Sequence, residues 1–420
     1  MATARFLLTL GLAAALGAAI LSFLSRRPRS GPGGLGLAFV TGALGLGLWT
    51  HLLLLIRIPV NLPAVLSGPA VLLALGRFRF LRGLVWRRPP WPAALLVPAA
   101  VFLLWGALAD RELGYDPDTM YLFRAKSIVR HGTFWNEDFT DPARLHLGHR
   151  RPLLLPAMYA DVALLCGSWE GRLLRTWFAL LQVAAWAAMY DVLRGRTGRL
   201  PAALGTALFA WVPAFWHDHG GAVAAYADPP LSMAFLLALA SETPLSVFFL
   251  CAGVLLKDEG MAFLLPCAAV RGWRPAALPA GLAAAWVLCA LHLPRDADFL
   301  PANFLNPHGS EIPAVLRQIG SEMVTLKHWS LLWVLVLLVL AARGRRLGRE
   351  DALWLLPVAA QLAIYTAVWI TFEPKAMALF LRVQDMRLLM HVAPIAWCWA
   401  VIRAADAAGN GEAAVRVPAS

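Results

Sequence analysis

Long apolar runs separated by short arginine clusters are the feature that most constrains how this chain can fold. The basic clusters lie at 26–29, 77–88, 194–199, 271–274 and 343–349, and apolar runs make up most of the sequence between them. Hydrophobic residues fill 60% of the 420 positions and charged residues only 15%, which is more apolar surface than one soluble core can bury. The pattern predicts an all-α polytopic membrane protein.

The basic clusters also indicate orientation and exclude one class of partner. The net charge of +12 is divided among these short loops, as the positive-inside rule describes, so we expect them to face the cytoplasm and expect no nucleic-acid partner. We therefore expect a multi-pass protein of the bacterial inner (cytoplasmic) membrane. The five cysteines all fall in apolar runs, where they act as small hydrophobic residues, so neither a disulfide framework nor a thiolate metal site is predicted.

The apolar runs predict about 12 to 13 transmembrane helices. The first run, 5–24, has no basic start beyond Arg5 and no convincing cleavage site, which favours a retained span over a cleaved signal peptide. The others lie at 34–56, 63–77, 91–109, 152–166, 171–191, 200–216, 227–241, 245–270, 275–293, 328–342, 351–370 and 387–403.

Counting crossings between basic loops places residues 110–151 outside the membrane. Residues 78–89 are inside and 91–109 cross outward, which places 110–151 outside. Because 194–199 are inside again, only one full crossing can lie between 110–151 and 194–199. The run 171–191 is long enough to cross. The run 152–166 is short and bracketed by prolines, so it is predicted to lie in the interface or to re-enter the bilayer from outside.

The segment 243–271 must leave the inner face and return to it. Each arm has about 12 residues, or roughly 18 Å of helix, too little for a full crossing. Lys257, Asp258 and Glu259 are therefore predicted at the apex of a short hairpin within the protein. Ionisable groups at such depth are costly and usually functional. The alternative is that Lys257 and Glu259 merely neutralise each other at a helix turn.

The polar stretch 114–132, "GYDPDTMYLFRAKSIVRHG", follows an outward crossing directly. Residues 118–131 have the spacing of an amphipathic helix lying in the membrane plane, and Asp118 suits its N-cap. Asp116 is then left for chemistry, because a carboxylate at a cavity mouth can act as general base while nearby cations hold a phosphate. Most other acids and histidines fall on the same predicted face, in 216–229, 294–327 and 371–384, which suits an enzyme better than a transporter.

Four stretches resemble, in order, the motifs of polyprenyl-phosphate-sugar-dependent glycosyltransferases of the GT-C fold, a group that includes protein O-mannosyltransferases, aminoarabinose transferases and bacterial galacturonic acid or mannose transferases. In "YDPDTMYLFRAK", Tyr115 stands at the usual Trp, Asp116 at the loop Asp, Tyr121 at the second aromatic and 124–126 at the basic triplet. The others are "YADPPL" from Tyr226, "LLKDEG" around Lys257, and "MRLLMHVAP" with Arg387 at the motif's Arg.

The resemblance implies a GT-C-like catalytic domain over 91–403, with N-terminal helices in 1–90 outside the resemblance and a cytoplasmic tail at 404–420. It implies that Asp116 is the general base or positions the acceptor. The implied donor-phosphate ligands are Lys257, Arg387, one of Arg150 or Arg151, and then Arg124 and Lys126. The implied substrate-binding or supporting residues are Asp118, Tyr121, Tyr226, Asp228 and Glu259.

The chain departs from the family's pattern at two places. In "HLGHRRPLLLP", Arg150 and Arg151 replace an acidic and an aromatic position, and Met386 occupies the Asp position of the last motif, with Asp385 one residue early. The added cations indicate a more anionic substrate or a different acceptor.

No cofactor is expected to be required, but a divalent cation is a candidate. Asp116 and Asp118 form an Asp-x-Asp pair, and "WHDHGG" supplies His217 and His219. No further His follows at a spacing typical of zinc, so the candidate ligands Asp118, His217 and His219 favour Mg or Mn over Zn.

The sequence thus predicts an integral membrane glycosyltransferase. It would move a sugar from a polyprenyl-phosphate donor to a lipid, glycan or protein acceptor on the external face. A single direct displacement would invert the anomeric carbon, because no carboxylate pair is arranged as nucleophile and acid. The alternatives are a transporter or flippase of lipid-linked sugar or another anionic lipid, and a non-catalytic assembly partner on the same scaffold.

Overall fold

The computed structural model describes residues 1–25, 31–75, 91–109, 113–114, 116–141, 143, 150–216, 220–294, 307–372 and 374–409. Within these ranges every regular element is a helix and no strand occurs. An α-helix satisfies its backbone polar groups within one segment, as a chain in hydrocarbon must. The helices of the first half are α1 Ala2–Leu24, α2 Pro32–Leu55, α3 Leu62–Leu75, α4 Val97–Ala109, α5 Phe123–His131, α6 Glu137–Thr140, α7 Leu154–Cys166, α8 Gly171–Thr197 and α9 Arg199–Ala210.

The second half carries the remaining helices in the same numbering. They are α10 Asp228–Ala240, α11 Thr243–Leu256, α12 Asp258–Ala262, α13 Leu264–Arg271, α14 Trp273–Ala290, α15 Ile312–Met323, α16 Leu326–Trp329, α17 Leu332–Arg343, α18 Arg349–Trp369 and α19 Pro374–Ala407.

Six of the described helices are long and apolar enough to cross a membrane. They are Ala2–Leu24, Gly33–Leu55, Pro92–Ala109, Gly171–Thr197, Arg349–Trp369 and Met386–Ala407. The prediction of an all-α membrane protein is thereby confirmed. Several other predicted crossings coincide with apolar helices of 10 to 17 residues, such as α3, α10 and α17, so the number of about 12 to 13 crossings stays a prediction.

The N-terminal helices pack into the same core as the rest of the chain. Gly17 and Gly42 let α1 and α2 approach so closely that a Cβ on either would collide with a backbone carbonyl of the other helix. A Cβ on Gly36 of α2 would likewise lie too close to the Ala184 carbonyl oxygen of α8, at 2.5 Å, and one continuous hydrophobic core includes residues of α1, α2, α8 and α19. The predicted division at residue 90 therefore marks where the resemblance begins and does not separate two cores.

Helix α7 is enclosed by protein. Eleven of its 13 residues are buried, and it contacts α1, α2 and the helix at 123–131. A helix lying on the membrane surface would keep an exposed polar face. Burial on all sides therefore favours the re-entrant alternative for 152–166.

The predicted hairpin turns at Lys257. Helix α11 ends at Leu256, and the backbone of Lys257 is extended, with φ −162° and ψ 156°, before α12 begins at Asp258. At the other end, the Arg271 guanidinium donates to the carbonyls of Leu239 and Ser241 at 2.6 and 2.7 Å. The segment thus returns to where α11 begins.

One predicted boundary is wrong, and one helix extends beyond its predicted crossing. The polar helix begins with a π-helical turn, Pro117–Leu122, that continues into α5, and we call this continuous segment the site helix. Proline suits the first helical position, so Asp116 is the flanking residue and Asp118 lies in the first turn instead of at the N-cap. The predicted crossing 387–403 agrees with the apolar span Met386–Ala407. The helix that contains it begins earlier, at Pro374, so much of the predicted polar stretch 371–384 is helical.

Candidate functional site

A buried cluster of charged side chains is built from four distant parts of the chain. Asp228, at the start of α10, is its centre and is fully buried. Its Oδ1 accepts from Lys257 Nζ and from His391 Nε2, both at 2.8 Å. Its Oδ2 accepts from Nε of Arg387 at 3.1 Å, and Nη2 of the same guanidinium forms an ion pair with Oδ2 at 3.1 Å. The carboxylate thus holds two cations in fixed positions, as a buried charge requires.

The local sequence explains why Asp228 lies where it does. Two prolines follow it, which suits the first turn of a helix, and the positive end of the helix dipole favours a carboxylate there. Ala225, just before, has a left-handed backbone with φ 64°, and its carbonyl accepts a 2.9 Å hydrogen bond from the Tyr159 hydroxyl on α7. The turn that precedes Asp228 is therefore hydrogen-bonded to α7.

Arg387 joins Asp228 to a second carboxylate. Its Nη1 donates to Asp116 Oδ2 at 2.7 Å, and its guanidinium lies 4.7 Å from the ring centre of Tyr226, a cation–π contact. The Asp116 side chain is 19% exposed whereas that of Asp228 is not exposed at all. Asp116 is therefore the acid of this pair that a substrate can reach.

Gly220 completes the enclosure of Arg387. Its φ is 107°, a conformation that favours glycine, and a Cβ at this position would lie 2.8 Å from the Arg387 side chain. The backbone thus packs directly against the arginine and leaves it little freedom to move.

Lys257 is bound by acids from two elements. Its Nζ lies 2.8 Å from Asp228 and 3.0 Å from Glu259. The alternative in which Lys257 and Glu259 merely neutralise each other is therefore incomplete, because the lysine also ties the hairpin to α10.

Two residues of the cluster were missed by the sequence analysis. His391 lies one turn after Arg387 on α19, and Tyr365 on α18 lies 2.7 Å from His391 Nδ1. A carboxylate only accepts hydrogen bonds, so His391 donates from Nε2 to Asp228 and Nδ1 accepts from Tyr365. The i, i+4 spacing of Arg387 and His391 was a usable signal, whereas nothing in the sequence around Tyr365 singles it out.

The tyrosines of the motifs lie beside the cluster. Tyr121 is 1% exposed and Tyr226 2% exposed. Burial and the neighbouring charge of Asp116 raise the pKa of Tyr226 to about 12. Its phenol is therefore neutral at physiological pH and is suited to donating a hydrogen bond.

Arg150 and Arg151, which replace two positions of the family pattern, have different roles. Arg150 donates to the carbonyls of Leu293 and Pro294, at 2.9 and 3.2 Å, so it joins two loops. Arg151 is partly exposed and interacts electrostatically with Asp116 and Glu259. Of the two, Arg151 is the one placed to bind an anion at the cluster.

The remaining predicted site residues differ in how they relate to the charged cluster. Arg124 is buried, donates to the Arg151 carbonyl at 2.6 Å and lies 5.5 Å from the Phe139 ring centre, so it supports Arg151. Lys126 and Asp118 are exposed on the site helix. Among the described residues no group of three or more His, Cys, Asp or Glu is arranged to hold a metal ion. The metal candidates His217 and His219, and the motif residue Tyr115, lie outside the described residues.

The cluster brings cations and acids together around a partly exposed carboxylate. Arg387, Lys257 and Arg151 lie among Asp116, Asp228, Asp258 and Glu259. Such an arrangement can accept a proton at Asp116 and stabilise an anion at the cations. Comparisons with protein-family models, curated proteins and solved structures found no match to this chain.

Proposed function

We propose that this protein is an integral membrane glycosyltransferase that moves a sugar from a polyprenyl-phosphate donor to a lipid, glycan or protein acceptor. One observation carries the proposal. The four stretches that resemble the GT-C motifs, distant in sequence, each contribute to one cluster through Asp116, Asp228, Lys257 and Arg387. The Arg387–Asp116 hydrogen bond spans 271 positions, so the convergence is not a consequence of local sequence.

In the proposed reaction, the acceptor hydroxyl oxygen forms a bond to the anomeric carbon of the sugar. The bond from that carbon to the phosphate oxygen breaks, and its electron pair stays on the polyprenyl phosphate. Asp116 takes the hydroxyl proton, and Arg387, Lys257 and Arg151 stabilise the phosphate that leaves. A single displacement of this kind inverts the anomeric carbon.

The buried residues behind the cations position them in this scheme. Asp228 orients both Arg387 and Lys257, and the hydrogen bonds from Tyr365 to His391 and from His391 to Asp228 fix the carboxylate in turn. Such support matters because preorganised charges need no rearrangement during reaction. The proposed scheme uses no metal, and we propose that the site faces the outside of a bacterial inner membrane.

Mass spectrometry of envelope lipids and glycans tests the proposal in cells that carry or lack the protein. We expect the deletion to remove one sugar unit from an envelope component, the wild-type gene to restore it, and Asp116→Asn to fail to restore it. Glu137→Gln, which removes an exposed charge elsewhere in the same loop, is the matched control and should restore it.

Two outcomes would contradict the proposal. Full restoration by Asp116→Asn would exclude this residue as the proton acceptor. An unchanged glycan together with lipid-linked sugar accumulating on one leaflet would favour the alternative of a flippase, to which a broken helix at Lys257 is also suited.

A further inference from the structure

We propose that Asp116 and the phosphate of the lipid donor compete for Arg387, so that binding of the donor releases the Asp116 carboxylate to turn toward the acceptor. This inference rests on the proposed function. It adds a way in which the donor activates the site.

The two carboxylates around Arg387 are held in different ways. Nε and Nη2 of the guanidinium point to Asp228, whose side chain has no exposure. Nη1 points to Asp116, whose side chain is 19% exposed. Breaking a buried ion pair leaves an uncompensated charge in a low dielectric, whereas a carboxylate open to solvent can be rehydrated. The Asp116 contact is therefore the exchangeable one.

Arg387 cannot follow Asp116 if that residue moves away. Its guanidinium is bound to Asp228 along one edge, lies against the Tyr226 ring, and has the Gly220 backbone packed on its stem. An arriving phosphate therefore meets an arginine whose open edge is already oriented. Arginine binds phosphate strongly through paired N–H groups, and the phosphate repels the neighbouring Asp116 carboxylate.

Displacement of Asp116 changes what its oxygen can do. In the described structure Oδ2 accepts from Arg387 at 2.7 Å, which holds the carboxylate against the arginine although Oδ1 lies outside this contact. When the phosphate takes the Nη1 edge, the carboxylate is released and either oxygen can turn to the acceptor hydroxyl. Binding of the donor therefore favours binding of the acceptor, and this coupling is reciprocal.

Lipid binding to the purified full-length protein in nanodiscs of zwitterionic lipid tests the inference. The probes are a polyprenyl monophosphate and the matching uncharged polyprenol, and the readout is tryptophan fluorescence. We expect Asp116→Asn to bind the monophosphate roughly tenfold more tightly than wild type, because the amide competes weakly for Arg387. Polyprenol binding should not change, and Glu137→Gln, which removes a charge of the same sign, should leave both affinities at the wild-type value.

A second variant identifies the arginine as the shared group. Arg387→Lys keeps a positive charge beside Asp228 but has no second edge to share. In this background Asp116→Asn should no longer tighten monophosphate binding. Equal or weaker binding of the monophosphate by Asp116→Asn, or the same tightening in the lysine background, would overturn the inference. Asp116→Ala gives a second reading of the same competition if the asparagine variant does not fold.

The binding experiment is independent of sugar transfer. If Asp116→Asn binds the monophosphate more tightly but no strain shows a glycan change, the competition for Arg387 stands and the transferase proposal fails. If the glycan experiment succeeds and Asp116→Asn binds no more tightly, the inference alone fails.

Discussion

At the scale of single residues, the hydrogen bonds behind Asp228 decide how firmly the cations are held. The Tyr365 hydroxyl is the last donor in this chain of contacts, and it reaches Asp228 only through His391. Removing the hydroxyl leaves Nδ1 of a buried imidazole without its donor. Tyr365 is therefore expected to support the site although it is remote from the opening at Asp116.

Tyr365→Phe should lower the free energy of unfolding by about 1–3 kcal/mol, the usual cost of an unsatisfied buried polar group. The measurement is thermal unfolding of the purified protein in detergent. Tyr190→Phe is the matched control, because the buried Tyr190 hydroxyl has no hydrogen-bond partner among the described residues, and its loss should not destabilise. Equal effects of the two substitutions would contradict the role given to Tyr365.

The sequence was most informative about residues that carry charge within motifs. Asp116, Lys257 and Arg387 could be selected because ionisable groups are scarce in an apolar chain. The difference between Arg124, which is buried, and Lys126, which is exposed, depends on which side of the site helix meets α7. Residue types alone do not determine that contact.

At the scale of elements, the hairpin at Lys257 depends on close contact between two backbones. Gly260 of α12 lies against the carbonyl of Gly253 in α11, and no Cβ fits between them. This contact fixes where Lys257 and Glu259 emerge. The glycine is required here for its lack of a side chain, since its backbone φ is not in the left-handed region.

Gly260→Ala should destabilise the protein strongly, by about 1–3 kcal/mol or more, because an inserted methyl group forces two backbones apart. Gly281→Ala in α14 is the control, since nothing lies within 4 Å of a Cβ there. It should be neutral or slightly stabilising, because alanine favours helix over glycine by about 1 kcal/mol. Thermal unfolding of both variants is the measurement, and a stable Gly260→Ala protein would disprove the close packing.

Element boundaries were predictable where length and charge acted together. The hairpin followed from two arms too short to cross and a charged apex between them. The start of α19 at Pro374 was missed because hydropathy detects contact with lipid, whereas a helix continues wherever its backbone hydrogen bonds do. The N-cap of the site helix was mispredicted because Pro117 takes the first helical position, so Asp116 and not Asp118 is the flanking residue.

At the scale of the whole molecule, segments predicted to share a membrane face are joined by contacts. Arg150 joins the first external loop to Leu293 and Pro294, and the backbone N–H of His308 donates to the Ile370 carbonyl. On the opposite predicted face, Arg403 near the end of α19 binds Asp351 near the start of α18 at 2.6 Å. The membrane class could be predicted from charge and hydropathy. The six described helices that are long enough to cross do not determine the number of crossings, so the grouping of segments by membrane face stays a prediction.

Cysteine labelling tests the proposed orientation. Glu137 is exposed in the predicted external loop, and the Glu350 side chain is 81% exposed on the predicted cytoplasmic face. A membrane-impermeant thiol reagent applied to intact spheroplasts should label Glu137→Cys at once and Glu350→Cys only after the membrane is permeabilised. The wild-type protein, whose cysteines are buried or partly buried, gives the background. The reverse pattern would invert the topology and place the charged cluster's opening toward the cytoplasm.

The site helix is held at both ends by contacts with distant parts of the chain. Asp116 at its beginning is bound to Arg387, and the Gly132 carbonyl at its end accepts a 2.9 Å hydrogen bond from the Val60 backbone N–H, in the link between α2 and α3. A shortened protein that begins at residue 91 would keep every motif residue. It would nevertheless lose the contact at Gly132, so the site helix that carries the proposed general base would be held at one end only. The first three helices therefore help to position the site helix.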